Sequence, residues 1–435
     1  MQLKHHFTFF NWAKNEHCNA QTYFQPENEN EIIEVLKRCN AEKKKIRIVG
    51  SGHSWSAICL SNEYLLNLDL FQKIISLDKT KKQITVQAGI KIFQLNKYLY
   101  NEGFCLNNLG SISAQSIAGA ISTATHGSGI THTILAGQVS AFKLICANGE
   151  VKYISRDIDE ELFHLALVSL GTLGVISEVT LNIADKFHLH EQAGLVDFDE
   201  VCDNVLKWIH QYDYLKLWWF PHTEKIMVYR YNRTQEPVND SKIRQVVRDV
   251  ILAKAAFGFI IFLGNIFNKL RPILNRIISN VFLNKINRIE KSHTVFNVTM
   301  PPLHRETEWA FDIKHTAELL KQYRKMIQDK RYTINFVQEI RFVKSDSFAL
   351  SPCHSRDSIY VGAYHASNKD WQPIFNDFEN LAKQFNGRPH WGKEFTIDKS
   401  YLLNHYPKLG LFAELQKKFD PNGIMLNPFT QKILS

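Results

Sequence analysis

Hydrophobic positions along the first 185 residues alternate between the spacing of a helix and the spacing of a strand. Residues 29–42 repeat apolar side chains at helical spacing, whereas 46–49 is a short apolar run that predicts a strand. The other predicted elements are strands over 63–71, 83–89 and 175–183, helices over 91–102 and 159–170, and a hairpin over 139–155 that turns at Asn148-Gly149. Mixed periods of this kind predict an α+β domain over residues 1–185.

From about residue 186 the pattern changes to segments that are richer in aromatic side chains. The predicted elements here are helices near 198–211, 314–329 and 371–385, a hairpin of 214–220 with 225–231, and strands over 332–343 and 358–365. We take residues 186–395 as a second α+β domain. Residues 411–429 form a helix and a turn whose packing partner the local pattern does not identify.

Positive charge is concentrated in one segment of the second domain. Residues 241–291 carry ten Lys and Arg against two acidic residues, in a chain of 435 residues with a net charge of +9. These basic residues flank the apolar run 255–267, which is too short and too interrupted for a membrane span. Nucleic-acid binding would pair the charge with exposed aromatic and polar base readers, so we exclude it. Two alternatives remain, an interfacial membrane helix and a helix that packs on its own protein.

The cysteines and histidines restrict the class of protein further. Seven scattered cysteines without a C-x-x-C pair favour reduced thiols, and the N-terminal segment lacks the features of a signal peptide. We therefore expect a cytoplasmic protein, peripheral at the inner face of a membrane if 241–291 binds lipid. His5-His6 and His188 with His190 lack supporting ligand spacing, so the sequence predicts no metal site.

The stretch VGSGHSWSA over residues 49–57 admits three interpretations. A dinucleotide fingerprint needs a third glycine and a following helix, but Trp55 stands in that place and no helix is predicted there. A serine hydrolase elbow centred on Ser54 is one residue short of its motif and also lacks the strand-to-helix corner. The third interpretation is an anion cradle of backbone N–H groups, which Gly50 and Gly52 would allow to approach a pyrophosphate.

A second glycine-rich stretch, LGSISAQSIAGAISTATHGSG over residues 109–129, favours the anion cradle. Small residues at this density let a backbone lie flat against a bulky group, and free N–H and hydroxyl groups can satisfy a polar ring edge. Together the two stretches predict a large planar cofactor that carries a phosphate group.

Five motifs in order resemble the vanillyl-alcohol-oxidase type of FAD-linked oxidoreductase. They are VGSGHSWS, SIAGAISTATHGSG, GTLGVISEVTL, RPHWGK and FDPNGIMLNPF. Within that type they are similar to the branch of sugar-1,4-lactone and alditol oxidases. The resemblance implies a two-part FAD-binding domain, formed by residues 1–185 and a returning C-terminal segment 396–435, and a cap domain over 186–395.

The resemblance also assigns cofactor-binding residues. His53 corresponds to a histidine that is usually bonded covalently to the flavin, whereas Cys105 lies too far upstream to provide a second linkage. Ser116 would touch both flavin and substrate. The FAD-binding positions implied are Val49, Gly50, Ser51, Gly52, His53, Ser54, Ser113, Ser116, Gly119, Thr123, His126, Gly127, Gly174 and Ile176.

Glu339, Arg341, His365 and Lys393, together with Ser116, are the catalytic candidates that the resemblance implies. Glu339 and Arg341 alternate on a strand and therefore share one face. Lys393 and Arg341 would stabilise negative charge on the reduced flavin, and His365 would take the substrate proton or bind a hydroxyl.

The implied reaction oxidises a sugar-derived lactone or an alditol by hydride transfer to flavin N5. Electrons would pass to oxygen or to a membrane or quinone-type acceptor. The alternatives are an oxidoreductase of this fold that acts on a lipid-linked sugar and, more remotely, a serine hydrolase that uses Ser54.

Overall fold

A computed structural model describes residues 1–241, 255–283, 285–298, 300–367 and 369–434. Part of the basic segment 241–291, namely 242–254 and 284, lies outside these described residues. The mixture of helices and sheets confirms the predicted α+β class.

The first half of the chain builds two main sheets and one two-stranded sheet in the described region. The strands are β1 (Gln2–Phe10), β2 (His17–Gln25), β3 (Ile46–Val49), β4 (Tyr64–Asn67), β5 (Ile74–Asp78), β6 (Gln83–Gln87), β7 (Phe104–Cys105), β8 (Val139–Cys146), β9 (Val151–Ser155), β10 (Gly174–Asn182) and β11 (Ala184–Asp185). The sheet orders are β1-β2-β4-β3 and β5-β6-β10-β8-β9, and β7 pairs separately with β11. The helices are α1 (Glu29–Glu42), α2 (Ile92–Asn101), α3 (Ile117–Ser122) and α4 (Glu160–Ala166).

Capping residues set the ends of these helices. The Asn28 side chain accepts a hydrogen bond from the backbone N–H of Glu31 at the start of α1. The Asp159 side chain accepts a hydrogen bond from Leu162 N–H at the start of α4. Gly103 follows α2 with a φ of +88°, a left-handed conformation that glycine adopts without strain. The predicted start of the helix over 159–170 is therefore confirmed, whereas its end is wrong, since α4 ends at Ala166.

A single large sheet dominates the second half of the described chain. Its strands are β12 (His188–Asp197), β13 (Tyr214–Trp219), β14 (Lys225–Thr234), β15 (Ile286–Lys291), β16 (Arg305–Asp312), β17 (Gln338–Val343), β18 (Ser358–His365) and β19 (Arg388–Pro389). They follow the order β15-β12-β14-β13-β17-β18-β16-β19. The helices are α5 (Phe198–Trp208), α6 (Phe257–Ile266), α7 (Arg271–Ile277), α8 (Ser292–Phe296), α9 (Thr316–Asp329), α10 (Trp371–Gln384), α11 (Lys399–His405), α12 (Leu409–Phe419) and α13 (Pro428–Leu434).

The two faces of this large sheet differ in chemistry. One face is apolar and shares a core with α5, α9 and α10, through residues such as Leu217, Ile340 and Val361. The positions of opposite parity carry charged and aromatic side chains, among them Lys216 and Arg341, which pair directly across β13 and β17. Side chains of directly paired residues lie on the same face. The polar face therefore collects residues that are far apart in the sequence.

The C-terminal residues return to the first half of the chain. The Asn427 side chain donates to the backbone carbonyls of Ala57 and Leu60, at 2.8 and 2.9 Å. The buried guanidinium of Arg47 donates to the carbonyl of Met425 and to that of Ile58, the latter at 2.9 Å. These bonds identify the partner of the tail and hold it beside the glycine loop 50–54.

Candidate active site

Two neighbouring cavities share the glycine loop. The larger has a volume of about 800 Å³ and lies between residues of the first half of the chain and the polar face of the large sheet. The smaller, of about 90 Å³, lies along the loop and α3. His53, Ser54, Gln115 and Thr123 line both cavities. The two cavities therefore adjoin at the glycine loop, which suits an elongated ligand that occupies both.

The smaller cavity is built for close approach of a ligand to the backbone. A Cβ at Gly50 would lie 2.5 Å from Ser116 Oγ, and a Cβ at Gly119 would lie 3.2 Å from the same atom. Gly52 has a φ of +69°, a backbone conformation that residues with a side chain rarely adopt. Ser116 begins α3 and accepts a hydrogen bond from Gly119 N–H. Larger side chains at these glycine positions would therefore fill the space, and the glycines leave it open for a ligand.

A lysine provides positive charge beside the loop. Lys91 Nζ donates to Ser51 Oγ at 2.8 Å and to Asp69 Oδ1 at 2.6 Å. Backbone N–H groups in a glycine turn, with a lysine next to them, are the groups that bind phosphate oxygens. The residues of the smaller cavity therefore fit the pyrophosphate of FAD.

His53 lies where the two cavities meet. Its Nδ1 is buried and has no hydrogen-bond partner among the described residues. Burial, followed by the charges of Lys393 and Lys91, lowers the pKa of His53 to about 4. The imidazole is therefore neutral at physiological pH, and Nδ1 is left free for a bond to a ligand.

Glu339 and Arg341 form the centre of the charged floor of the larger cavity. Arg341 donates to Glu339 Oε2, and Lys216 Nζ lies 3.7 Å from Oε1. The Trp218 indole donates to Oε1 at 3.0 Å. Burial raises the pKa of Glu339, but the charges of Arg341 and Lys216 outweigh this and lower it to about 2. Glu339 is therefore ionised, and Arg341 is held rigidly.

Arg341 also connects the two halves of the chain. Its guanidinium donates to the backbone carbonyl of His126 at 3.1 Å and to Ser111 Oγ at 2.7 Å. Arg341 therefore holds the loop after α3 against the large sheet.

Lys393 forms a second buried ion pair in the same cavity. Its ammonium group donates to Glu306 Oε2 and lies 4.0 Å from the centroid of the Trp55 ring. His304 Nε2 lies 3.7 Å from the same carboxylate oxygen. The cation therefore stands directly beside the glycine loop.

A third cluster combines His126, Glu308 and His390. Their side-chain nitrogen and oxygen atoms lie within 4.8 Å of one another, and all three residues are buried. These donor types suit a metal ion, but the nearby charges of Arg341 and Lys393 oppose the binding of another cation. His126 Nε2 faces Glu308 Oε1 at 3.5 Å.

The structure brings most of the predicted site residues to the two cavities. Those that line the smaller cavity are Val49, Gly50, Ser51, Gly52, His53, Ser54, Ser116, Gly119, Thr123, Gly174 and Ile176. Those that line the larger cavity are His53, Ser54, Thr123, His126, Glu339, Arg341 and Lys393. Ser113 and Gly127 line neither, although the Gly127 carbonyl contacts His126 Nδ1 at 3.0 Å.

His365 has to be corrected, because the structure places it outside both cavities. Its side chain is fully buried on the opposite face of the sheet, with Nε2 3.5 Å from Arg271 Nη1. Tyr364, one residue earlier, lines the larger cavity instead. Successive side chains of a strand point to opposite faces, so only one of these two residues can reach it.

Sequence reasoning missed several residues of the larger cavity. Glu306 and Glu308 alternate in RETEWAF, so a two-residue period did signal that they share a face. His390 stands in the RPHWGK motif but was not singled out. Lys216 and Trp218 belong to the aromatic hairpin, whose local pattern resembles that of an ordinary half-buried strand.

The hydrolase interpretation of Ser54 receives no support. Among the described residues, the Ser54 hydroxyl forms no hydrogen bond with a histidine. Asn11 donates to the Ser54 backbone carbonyl at 2.9 Å, which fixes the loop. Ser54 therefore lacks the adjacent base that a serine nucleophile needs.

Family models and curated relatives match most of this chain. Residues 179–433 match the family described as D-arabinono-1,4-lactone oxidase, and residues 20–155 match an FAD binding domain. L-gulonolactone oxidase of Mus musculus is 32% identical over 432 residues, which is 98% of each chain. L-gulono-1,4-lactone dehydrogenase of Mycobacterium tuberculosis is 27% identical and also covers 98% of each chain. D-arabinono-1,4-lactone oxidase of Eremothecium gossypii is 28% identical over 90% of this chain and 84% of its own.

Solved structures show the same fold. A solvent-stable cholesterol oxidase superposes with a TM-score of 0.85 at 16% identity, over 100% of this chain and 98% of that chain. Cholesterol oxidase from B. sterolicum gives a TM-score of 0.83 at 14% identity, over 100% and 97%. At these identities the likeness concerns the fold alone.

Proposed function

Because this chain belongs to the D-arabinono-1,4-lactone oxidase family, we propose that it is an FAD-dependent oxidoreductase that oxidises a hydroxyl of an aldonolactone. The observation that carries the proposal is the adjoining pair of cavities, a glycine-lined one for the nucleotide and a larger one with a charged floor. Residues 1–185 with 396–435 then act as the FAD-binding domain, and 186–395 as the cap.

The chain's own residues bind and orient the lactone. When bound, FAD supplies the two-electron oxidising capacity of the reaction. The guanidinium of Arg341, held by Glu339, and the ammonium of Lys393 offer fixed hydrogen-bond donors to the lactone oxygens. Their positive charges also favour negative charge that develops beside the glycine loop. Tyr364 and Trp218 also line the cavity and give part of its surface an aromatic character.

Anaerobic reduction of the bound flavin tests this function directly. The purified protein is mixed with aldono-1,4-lactones, with the matching open-chain aldonic acids and with alditols, while the visible flavin absorbance is followed. We expect a lactone to bleach the flavin and the open-chain acid of the same sugar to leave it oxidised. A flavin that every lactone and polyol leaves oxidised contradicts the proposal. Admitting oxygen or a quinone afterwards identifies the acceptor.

The attachment of the flavin through His53 is the finer part of the proposal. The buried, unpartnered Nδ1 and the lowered pKa would supply a neutral nitrogen for a bond to the flavin methyl carbon. That bond would replace a C–H bond of the methyl group, whose hydrogen leaves as a proton while the flavin ring takes up the two electrons. We expect flavin to stay with the acid-precipitated protein and to fluoresce in a denaturing gel. His53→Ala should release it, whereas His188→Ala, whose imidazole is bonded to the Glu236 carbonyl away from both cavities, should not. Flavin released from the unmodified protein contradicts covalency.

Contact with an anionic membrane surface is supported by an apolar patch on α6, α7 and the turn after each. Eight large apolar side chains there are 43–59% exposed: Phe259, Phe262, Ile266, Phe267, Leu270, Ile273, Ile277 and Val281. Residues 255–285 contain basic but no acidic side chains, which favours a negatively charged partner. Within the described chain every helix is too short or too polar to cross a bilayer.

Sedimentation with vesicles tests the membrane contact. We expect binding to phosphatidylserine-containing vesicles at low salt and weaker binding to neutral ones. The double variant Phe259→Gln/Phe262→Gln should lose binding, while Ile158→Gln, an exposed apolar residue elsewhere, should retain it. Protein that stays in the supernatant with anionic vesicles at low salt contradicts the contact.

A further inference from the structure

We propose that the buried pair of His126 and Glu308 accepts the proton that leaves the substrate hydroxyl. The inference rests on the proposed function and assigns a role that His365 cannot fill, since His365 lies on the other face of the sheet. Both members of the pair line the larger cavity, although they come from different halves of the chain. His126 follows α3, and Glu308 lies on β16.

The distribution of charge singles out Glu308. Five carboxylates line the cavity, and four of them bind a permanent cation. Glu339 binds Arg341, Glu306 binds Lys393, and both Glu191 and Asp240 bind Arg288. Among the ion pairs of the described residues, Glu308 has only the His126 imidazole as its partner. Arg341 and Lys393 also act on Glu308, but each of them is bonded to another carboxylate, so a proton held between Glu308 and His126 is the charge that pairs with Glu308 directly. The pair is therefore a place where one more proton is stabilised.

Hydrogen bonds fix which nitrogen of His126 is available. Its Nδ1 faces the carbonyl of Gly127 at 3.0 Å, and a carbonyl can only accept, so Nδ1 carries a hydrogen. Nε2 therefore offers its lone pair toward Glu308 Oε1, 3.5 Å away. The ring also stacks on Tyr360 with centroids 3.6 Å apart, which fixes the plane of the imidazole.

The neighbouring histidine is unsuited to this role. His390 Nδ1 accepts a hydrogen bond from the backbone N–H of Gly392 at 3.0 Å, so Nε2 carries the hydrogen of the neutral ring. Burial lowers the pKa of His390 to about 3. His390 therefore stays neutral and cannot hold the substrate proton.

The proton step balances with the two-electron oxidation. The O–H bond of the substrate breaks, and its electron pair becomes the second bond of the new carbonyl group. The proton goes to His126 Nε2, where Glu308 stabilises the imidazolium, and the hydride lost from carbon is the equivalent that FAD takes up. Charged and titratable groups that face the pair from neighbouring elements are Arg341, Tyr360, Tyr364, His390, Lys393 and Glu306.

Glu308→Gln tests the proposal in the flavin-loaded protein. The rate of anaerobic flavin reduction by the lactone is measured across the pH range, in H₂O and in D₂O, together with flavin content and lactone affinity. We expect the rate to fall by about 100-fold or more, as for loss of a proton acceptor. The decline of the rate at acid pH and the solvent isotope effect should change, while flavin content and lactone affinity stay close to the wild type. Glu379→Gln, also buried but bonded to Thr396 outside the cavities, should match the wild type.

The other possible results of this experiment also decide for or against the proposal. A Glu308→Gln protein with the wild-type rate and pH profile overturns the proposal. If that variant does not fold, Glu308→Asp keeps the charge at shorter reach and should slow reduction while retaining the acid limb. An aspartate variant without that limb overturns the proposal. If no lactone reduces the wild-type flavin, the proposed function itself fails and this inference falls with it, which the wild-type control shows before any variant is compared.

Discussion

Replacing Glu339 by glutamine should destabilise the protein by about 3 kcal/mol at neutral pH. The depression of the Glu339 pKa from its ordinary value of 4.5 to about 2 corresponds to roughly this free energy. Removing one partner of a buried ion pair costs about 3–5 kcal/mol by an independent argument, because it leaves an uncompensated buried charge. Here two cations, Arg341 and Lys216, would lose their carboxylate.

The sign of the pH dependence follows from the direction of the shift. Since folding lowers the pKa of Glu339, its stabilisation is fully present above about pH 5 and is lost as the pH falls toward about 2. The difference between wild type and Glu339→Gln should therefore be constant in the neutral range and shrink in acid.

Urea unfolding at several pH values, followed by tryptophan fluorescence, measures this difference. Glu102→Gln is the matched control, because Glu102 pairs with Lys79 at the exposed surface and such pairs contribute about 0–1 kcal/mol. We expect a clearly lower urea midpoint for the Glu339 variant and almost no change for the Glu102 variant. A Glu339 variant with the wild-type midpoint at neutral pH, or a difference that widens in acid, would refute the reasoning.

Two further substitutions examine the cofactor loop and the second ion pair. Gly50→Ala should lower the flavin content severalfold, because the new Cβ would lie 2.5 Å from Ser116 Oγ. Gly410→Ala is the control and should bind flavin normally, because a Cβ at that position meets nothing within 4 Å. The ratio of flavin absorbance to protein absorbance measures the flavin content of each variant. Lys393→Met should slow flavin reduction by about 100-fold, since a fixed positive charge is lost and Glu306 is left buried without its cation. Stopped-flow measurement of flavin reduction at equal flavin content gives this rate. A variant that reduces its flavin at the wild-type rate would exclude Lys393 from the reaction.

Local sequence signals were sufficient wherever one segment determines the outcome. The alternation in QEIRF placed Glu339 and Arg341 on one face, and the structure joins them in an ion pair. The glycine pattern of 49–54 predicted a backbone-lined cradle, which the structure contains as the smaller cavity.

Local sequence patterns did not predict elements whose position depends on pairing with a strand that is distant in the sequence. The first strand, β1, was missed because QLKHHFTFF is mostly exposed and has little apolar alternation. The strand is held in place by its backbone pairing with β2, which runs from Gln2 opposite Gln25 to Phe10 opposite His17. Edge strands of this kind depend on backbone pairing more than on burial.

The choice between Tyr364 and His365 shows why the proton acceptor could not be identified from one segment. Their strand is buried at every position, so its own residues contain no alternation that reveals which face each side chain occupies. The face becomes clear only through pairing, because Glu306 lies directly opposite Tyr364 and therefore shares its side of the sheet. A shift of one residue thus puts a phenol in the cavity and an imidazole behind it. An imidazole that can take the proton therefore has to come from another part of the chain. That imidazole is His126, which the contact between the two halves of the chain places beside Glu308.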